Sequence, residues 1–342
     1  MSPAEKVVAG IDLGGTAINY TFLDERGQFL IDGLCEHPAR SVEGPDICLK
    51  QIEDGLRLAA ERADLPLEKI VAVGLDTPGP ASAAGVLSRR GSTNFVHPDW
   101  AGFDMRAGLE RRLGRPVTYL NDGNAAALWG HVAIFGSEND STSVAAIVGT
   151  GLGGGVITGG RVVTGRNGFG GELGHVLIPW AAIPGIEGLA PQCNCGRMGD
   201  LESLCSLTAI RRSLLPHFLA RHPGHPLAAE ADVGKAAKQV RGLAERGDEM
   251  CRAIFRVQAR ALGLFFDEMI NVFDPDALIV GGGAVETDED FRRWFLAEIR
   301  AGMPTQREEQ ADLPLHVMPA GDTAGARGAA LDAARMVRER GL

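Results

Sequence analysis

The stretch Val7-Val8-Ala9-Gly10-Ile11-Asp12-Leu13-Gly14-Gly15-Thr16 decides how the chain is read. Its first five residues form an apolar run of strand type. The glycines that follow let the backbone turn sharply and bring N–H groups near a ligand with no Cβ in the way. A second stretch of the same design lies far downstream, where Val144-Ala145-Ala146-Ile147-Val148 runs into Gly149-Thr150-Gly151-Leu152-Gly153-Gly154-Gly155. Successive N–H groups in such turns make concavities for phosphate oxygens. Either loop alone reads as well as a tight structural hairpin. The pair, with the buried-strand run Ala277–Val280 entering Gly281-Gly282-Gly283, favours one nucleotide held from both sides of a cleft.

Two familiar phosphate motifs fail on context. Gly149-x-Gly151-x-x-Gly154 has the dinucleotide spacing, but that fingerprint needs a helix directly after the glycines. Here Val156-Ile157-Thr158-Gly159-Gly160-Arg161-Val162-Val163 follows, β-branched and turn-rich, which predicts a hairpin. No Gly-Lys-Ser/Thr follows any glycine run, so a Walker loop is absent.

The 342 residues favour two domains or one large α/β unit. Hydrophobic content of 45% supplies a sizeable core, and aromatic content of 6% leaves its packing to Ala, Val, Leu and Ile. The formal net charge of −10 argues against a surface that coats nucleic acid, which needs clustered Lys and Arg. No apolar run is long enough to span a bilayer, and Met1-Ser2-Pro3-Ala4-Glu5-Lys6 lacks the apolar core of a signal peptide. The expected place is the cytoplasm. Cys35, Cys48, Cys205 and Cys251 are scattered and read as buried small apolar residues, whereas Cys193 and Cys195 lie close together.

Along the chain, strands are expected at 6–11, 18–24 and 28–34, with Asp24-Glu25-Arg26-Gly27 as a hairpin turn. A helix is expected over 45–63, a strand over 69–75 ending in the rigid turn Asp76-Thr77-Pro78-Gly79-Pro80, a helix over 106–113, and a strand over 116–120. Asn121-Asp122 then opens an Ala-rich helix. Strands at 143–148, 154–158 and 161–163 precede a helical region beyond about 203. In it a long amphipathic helix spans 246–273 and stops at Asp274-Pro275. A strand at 277–280, a helix at 288–301, a strand at 314–318 and a last helix from about 322 complete an α/β pattern in two halves, with a hinge expected near 120–122.

Asn121-Asp122 has two readings. Both residue types cap helices. A carboxylate at a domain junction also suits phosphoryl transfer to an alcohol, where a base must orient the hydroxyl and take its proton. Asp12 is likewise either a strand-end turn residue or a carboxylate that holds Mg²⁺ through water beside phosphates.

Taken together, these elements resemble the ROK family of sugar kinases and sugar-responsive repressors. The resemblance rests on Asp12-Leu13-Gly14-Gly15-Thr16, Asn121-Asp122 before the Ala-rich helix, Gly149 to Gly155, and Glu172-Leu173-Gly174-His175. Cys193-Asn194-Cys195-Gly196-Arg197-Met198-Gly199-Asp200-Leu201-Glu202 and Val280-Gly281-Gly282-Gly283 complete it, in the family's order over nearly the whole chain. The resemblance implies an actin-like ATPase (ribonuclease H-like) fold, with two domains closing around sugar and ATP. The domains would be residues 1–121 with a returning helix at about 322–342, and residues 122–321. It implies phosphorylation of a glucose-like hexose, usually at the 6-hydroxyl, with Mg-ATP as donor and Asp122 as base. Asn94, Asn121, Glu172, His175 and Glu202 would bind the sugar, since carboxylates and amides offer paired acceptors and donors to vicinal hydroxyls. Asp12, Gly14, Gly15, Thr16, Thr150 and Gly151 would cradle the phosphates, and Gly281, Gly282 and Gly283 would approach the adenosine. Family members are commonly dimers or tetramers. The family's repressors carry a helix-turn-helix ahead of the first glycine loop; here eleven strand-like residues precede Asp12, so a regulator bound to nucleic acid is not expected. A sugar-binding relative without turnover is the alternative reading.

The same resemblance matches His175, Cys193 and Cys195 to ligands of a structural zinc, with Asp200 where the family has a third Cys. Zinc accepts carboxylate oxygen, so a Cys₂-His-Asp set is chemically sound, and a metal-free loop with two thiols is the other reading. Three further departures stand out. Ala17 replaces a residue that is often basic. Asn94-Phe95-Val96-His97-Pro98-Asp99-Trp100 matches the family's sugar loop only loosely. Val176 to Gln192 is longer than the usual spacer and reads as a surface insertion or as a stiff flap over the sugar pocket.

Overall fold

The protein is described by a computed structural model that covers residues 6–90, 94–136, 139–304, 307–310 and 312–342. The reading that the N-terminus lacks the apolar core of a signal peptide falls, for Met1–Glu5, outside the described residues. In chain order the elements are β1 (Val7–Leu13), β2 (Ala17–Asp24), β3 (Glu36–Pro38), α1 (Pro45–Arg62), β4 (Ile70–Thr77), α2 (Met105–Leu113), β5 (Val117–Asn121) and α3 (Asp122–Phe135). Next come β6 (Thr142–Val148), β7 (Leu152–Thr158), β8 (Arg161–Val162), α4 (Leu207–Ala209), α5 (Leu215–Arg221), α6 (Val233–Glu245) and α7 (Glu249–Phe273). The chain closes with β9 (Ala277–Gly281), α8 (Glu289–Arg300), β10 (Leu315–Val317) and α9 (Ala324–Arg340). One sheet has the order β3-β2-β1-β4-β5 and the other β10-β9-β6-β7-β8. Among the described residues no helix is long and apolar enough to cross a membrane.

The chain divides into two compact units. The first takes in residues up to Asn139, Gly155–Gly171 and Pro319–Leu342; the second takes in Asp140–Gly154 and Glu172–Met318. This division falls after α3, not at 121/122, because α3 packs on α9 within the first unit.

In the first unit, β1 pairs antiparallel with β2 and parallel with β4, and β4 pairs parallel with β5. Its side chains alternate between two faces, as the period of a strand requires. Ala9, Ile11 and Leu13 meet Ile52 and Leu56 of α1 and Met105 and Leu109 of α2. On the other face, Val8 and Ala72 meet Ala330, Ala333 and Met336 of α9. That face holds Gly10 and Gly74 because α9 lies against the bare backbone. A Cβ at Gly10 would stand 1.9 Å from the Ala326 carbonyl oxygen, and one at Gly74 the same distance from that of Ala329.

The expected strand over 28–34 is not formed. Phe29 makes a single bridge to Leu23, the chain bends through Asp32-Gly33, and the third strand is β3 at 36–38. Leu30 and Leu34 are exposed, so this apolar run has no continuous face to bury.

In the second unit, β9 and the core of β6 are buried, as strands with both neighbours parallel or covered tend to be. The helix expected over 246–273 begins three residues later. Gly247 takes a left-handed conformation, and Asp248 caps α7 by accepting from the Cys251 amide at 2.9 Å. Its end at Asp274 is as read from the sequence. Phe255 of α7 packs edge-on against Phe291 and Phe295 of α8, with ring centroids 5.2 and 6.0 Å away.

Candidate active site

The residues singled out from the sequence fall into two sets, one in each unit. Asp12, Gly14, Gly15, Thr16, Asn94, Asn121 and Asp122 belong to the first; Thr150, Gly151, Glu172, His175, Cys193, Cys195, Asp200, Glu202 and Gly281–Gly283 belong to the second.

In the first unit, the turn between β1 and β2 is tied down through its carbonyls. The Gly15 oxygen accepts from Ser41 Oγ at 2.8 Å, and the Thr16 oxygen accepts from the Ala39 amide at 2.9 Å. A trans peptide sets its C=O and N–H on opposite sides, so the Thr16 amide points away from Ser41. Asn94 lies against this turn. Its Cγ would be 2.6 Å from a Cβ at Gly15, and its own carbonyl accepts from Ser41 Oγ at 3.1 Å.

Asn121 ends β5 and caps α3 by accepting from the Gly123 amide at 3.0 Å; Asp122 Oδ1 accepts from the same amide at 2.7 Å. Capping and an outward acid therefore coexist, since Asp122 is exposed at the first position of the helix. The N-terminal end of a helix favours negative charge there.

Behind this turn lies an acid that sequence reasoning took only for part of a turn. Asp76 of β4 stands opposite Asp12 of β1 in parallel register, and Asn19 of β2 stands opposite Asp12 on the other side. Burial raises the Asp12 carboxyl above the ordinary carboxylate range, while hydrogen bonding to Asp76 and Asn19 pulls it back. Burial raises Asp76 further, and the neighbouring charges of Asp12 and Asp122 add to the effect. The signal was present in the sequence. Asp76 closes an apolar strand just as Asp12 does.

In the second unit, the turn between β6 and β7 is held in the same fashion. The Gly149 oxygen accepts from the Leu207 amide at 3.0 Å, and the Thr150 oxygen accepts from the Thr208 amide at 3.1 Å and from Thr208 Oγ1 at 2.8 Å. Both carbonyls turn toward α4, so the amides of Thr150 and Gly151 face the opposite way. Amides so turned are of the kind that receive an anion. Gly281–Gly283 adjoins this turn: a Cβ at Gly282 would come within 2.5 Å of the Val148 carbonyl oxygen, and Arg241 donates to the Gly283 oxygen at 2.8 Å.

Glu202 has a part the sequence did not foretell. Its Oε2 accepts from the Leu152 amide at 2.9 Å and its Oε1 receives the Cys193 thiol at 3.5 Å, so it links the glycine turn to the cysteine loop. The partners lie 50 and 9 residues away, a distance no local pattern encodes. Glu172 opens the short turn Leu173–His175, whose last amide it receives at 3.1 Å.

His175, Cys193, Cys195 and Asp200 converge, with one ligand atom from each lying within 4.8 Å of all the others. His175 Nδ1 is 3.1 Å from Asp200 Oδ2, Cys195 Sγ is 3.4 Å from the same oxygen, and Cys193 Sγ is 3.8 Å from His175 Nδ1. A tetrahedral zinc with mixed N, O and S ligands has ligand–ligand edges of about 3.3–3.8 Å, and these three separations lie near that range. Asp200 divides its labour. Oδ1 caps the turn Leu201–Ser203 by accepting from the Ser203 amide at 3.0 Å, which leaves Oδ2 for the cluster.

The insertion Val176–Gln192 is anchored on its own unit. Ile178, Ile183 and Ile186 are buried, Trp180 packs on Gly199, and Arg221 of α5 donates to the Glu187 carbonyl at 2.9 Å.

Comparison with known proteins bears on the family and the fold. The sequence profile of the ROK family matches residues 8–335. The glucokinase of Thermotoga maritima is 32% identical over 285 residues, covering 82% of this chain and 83% of that protein. The structure of the ROK hexokinase from Thermus thermophilus matches with a TM-score of 0.74 and 31% identity, over 97% of this chain and 99% of that one. A ROK family glucokinase from Streptomyces griseus, solved in complex with glucose and AMPPNP, matches with a TM-score of 0.70 and 27% identity, over 96% and 99% of the two chains. Two mixed sheets, each ending in a glycine turn with its amides turned outward, and a family match over nearly the whole length lead to one conclusion: the chain belongs to the ROK family and has the actin-like ATPase fold of its sugar kinases.

Proposed function

We propose that the protein is a sugar kinase that moves the terminal phosphoryl group of ATP to a glucose-like hexose, at the 6-hydroxyl. The hydroxyl oxygen bonds to the γ-phosphorus, the bond from that phosphorus to the β,γ-bridging oxygen breaks, and ADP leaves. The hydroxyl proton passes to Asp122. The observation that carries this reading is the exposed carboxylate of Asp122 at the start of α3, in the same unit as the outward Thr16 amide. Gly14, Gly15, Thr16, Thr150 and Gly151 receive phosphate oxygens, and Gly281, Gly282 and Gly283 leave room for the adenosine. Asn94, Asn121, Glu172, His175 and Glu202 bind sugar hydroxyls. Contacts of that kind discriminate strongly against analogues that lack the hydroxyl. Asp12 would hold Mg²⁺, through water, where its carboxylate adjoins the first glycine turn; when bound, the ion offsets phosphate charge.

The test is ADP release from Mg-ATP across a panel of hexoses. We expect at least one hexose to raise release by about a hundredfold or more over the sugar-free rate, since water is a poor substitute for a positioned hydroxyl. A hexose that binds without any rise in ADP release would favour the sugar-binding protein without turnover.

His175, Cys193, Cys195 and Asp200 would hold zinc, which when bound ties the 193–202 loop to the turn that carries Glu172. Elemental analysis of the purified protein is expected to find about one zinc per chain. Asp200→Ala is expected to lose the ion, and Asp200→Cys to keep it. Stripping it with a chelator is expected to lower the melting temperature by roughly 5 °C or more, because an ion that binds only the folded state stabilises it by mass action.

A further inference from the structure

Asp76 is the least explained polar group in the first unit. Its carboxyl is fully buried, and apart from the neighbouring acid Asp12 neither oxygen has a hydrogen-bond partner among the described residues. Buried polar groups are nearly always satisfied, so an orphan of this kind calls for a missing partner. The group it faces is another acid. Asp12 stands beside it in register and within hydrogen-bonding reach, and the charged groups that act on Asp76 are both carboxylates, Asp12 and Asp122. No basic side chain among the described residues pairs with it. Two carboxylates that meet without a donor need either one shared proton or a cation.

The surroundings favour a hard cation. Asp12 and Asp76 share the sheet face covered by α9, and the Asp12 carboxylate lies 3.0 Å from the point a Cβ at Gly325 would occupy. Asp12 is partly exposed and Asp76 is fully buried, so of the two it is Asp12 that solvent reaches. Along the chain, Asp12 lies two residues before the turn Gly14–Thr16 that joins β1 to β2. Mg²⁺ is characteristically held by one or two carboxylates, several waters and phosphate oxygens of the substrate.

We infer that Asp76 is the second carboxylate of the divalent-cation site whose first is Asp12. The inference rests on the kinase reading for the role of the ion, though not for its binding. One oxygen of Asp76 faces the ion, and its negative charge is matched when the ion is seated.

The test is a titration with Mn²⁺ followed by the paramagnetic resonance signal of the free ion, with ADP present and absent, on the wild-type chain and on Asp76→Asn. The amide keeps the shape of the acid and can donate to Asp12, as a shared proton would. We expect the substitution to weaken Mn²⁺ binding about tenfold or more. Without metal, the variant should melt no lower than wild type, while the rise in melting temperature that Mn²⁺ gives wild type should be lost. Unchanged Mn²⁺ affinity in the folded variant overturns the inference and assigns the pair to a shared proton. Should Asp76→Asn fail to fold, the same titration on Asp76→Ser decides the matter. The outcome is separable from the function proposed above. Hexose phosphorylation with unchanged Mn²⁺ affinity in the variant sinks only the cation site, and lost affinity in a protein that phosphorylates no hexose sinks only the kinase.

Discussion

Asp122→Asn is expected to lower kcat for hexose phosphorylation by about 10²–10⁴-fold, the usual worth of a positioned general base. Sugar and nucleotide dissociation constants should change little. The substitution keeps the side chain's shape and its oxygen, so the hydrogen bond that Asp122 accepts from the Gly123 amide survives, as does the cap supplied by Asn121. What is lost is the ability to take a proton. A parallel fall in kcat and kcat/KM with KM unchanged is the signature of an interaction made only in the transition state. Isothermal titration with glucose, beside steady-state rates, separates the two quantities. Turnover retained in Asp122→Asn would remove Asp122 from its proposed role. Weakened glucose binding with proportionate loss of rate would make it a sugar ligand and no base.

The largest effect on stability is expected at Gly10. A Cβ there would sit 1.9 Å from the Ala326 carbonyl oxygen and 2.8 Å from the Ala330 Cβ, far inside contact distance. Backbone cannot rotate aside as a long side chain can, so Gly10→Val must lift α9 from the sheet. Overpacking of this kind costs about 3 kcal/mol, which would lower the melting temperature by roughly 10 °C for a unit of this size. Gly33→Ala is the matched control, because nothing lies within 4 Å of its Cβ position and its backbone is unstrained. Equal melting temperatures for the two variants would mean that α9 is not held against the bare strand.

The architecture was legible where physics is local. Apolar runs that end in glycine announced β1, β6 and β9, and Asn121-Asp122 announced the start of α3. The run at 28–34 misled because strand composition does not supply a face to bury, and Leu30 and Leu34 found none. The start of α7 was set by one left-handed glycine and one aspartate cap, a detail that a hydrophobic period averages away. At the candidate site, residue types were legible and their mutual use was not. Asp76 reads as a turn residue until register sets it opposite Asp12, and the bond that Glu202 accepts from the Leu152 amide is seen only in the folded chain. Both depend on partners many residues distant, which only the folded chain brings together.

The place of α9 has a further consequence for synthesis. The sheet face of β1 and β4 is sealed by a helix encoded about 300 residues later, so a ribosome working at 5–20 residues per second leaves that face uncovered for about 15 s to a minute. Every strand of the second unit emerges inside that interval. The unit begun first is thus the one finished last, and the nascent chain carries a sticky, half-built sheet throughout. Joining α9 ahead of β1 by circular permutation should shorten the wait and raise the yield of soluble protein at high expression.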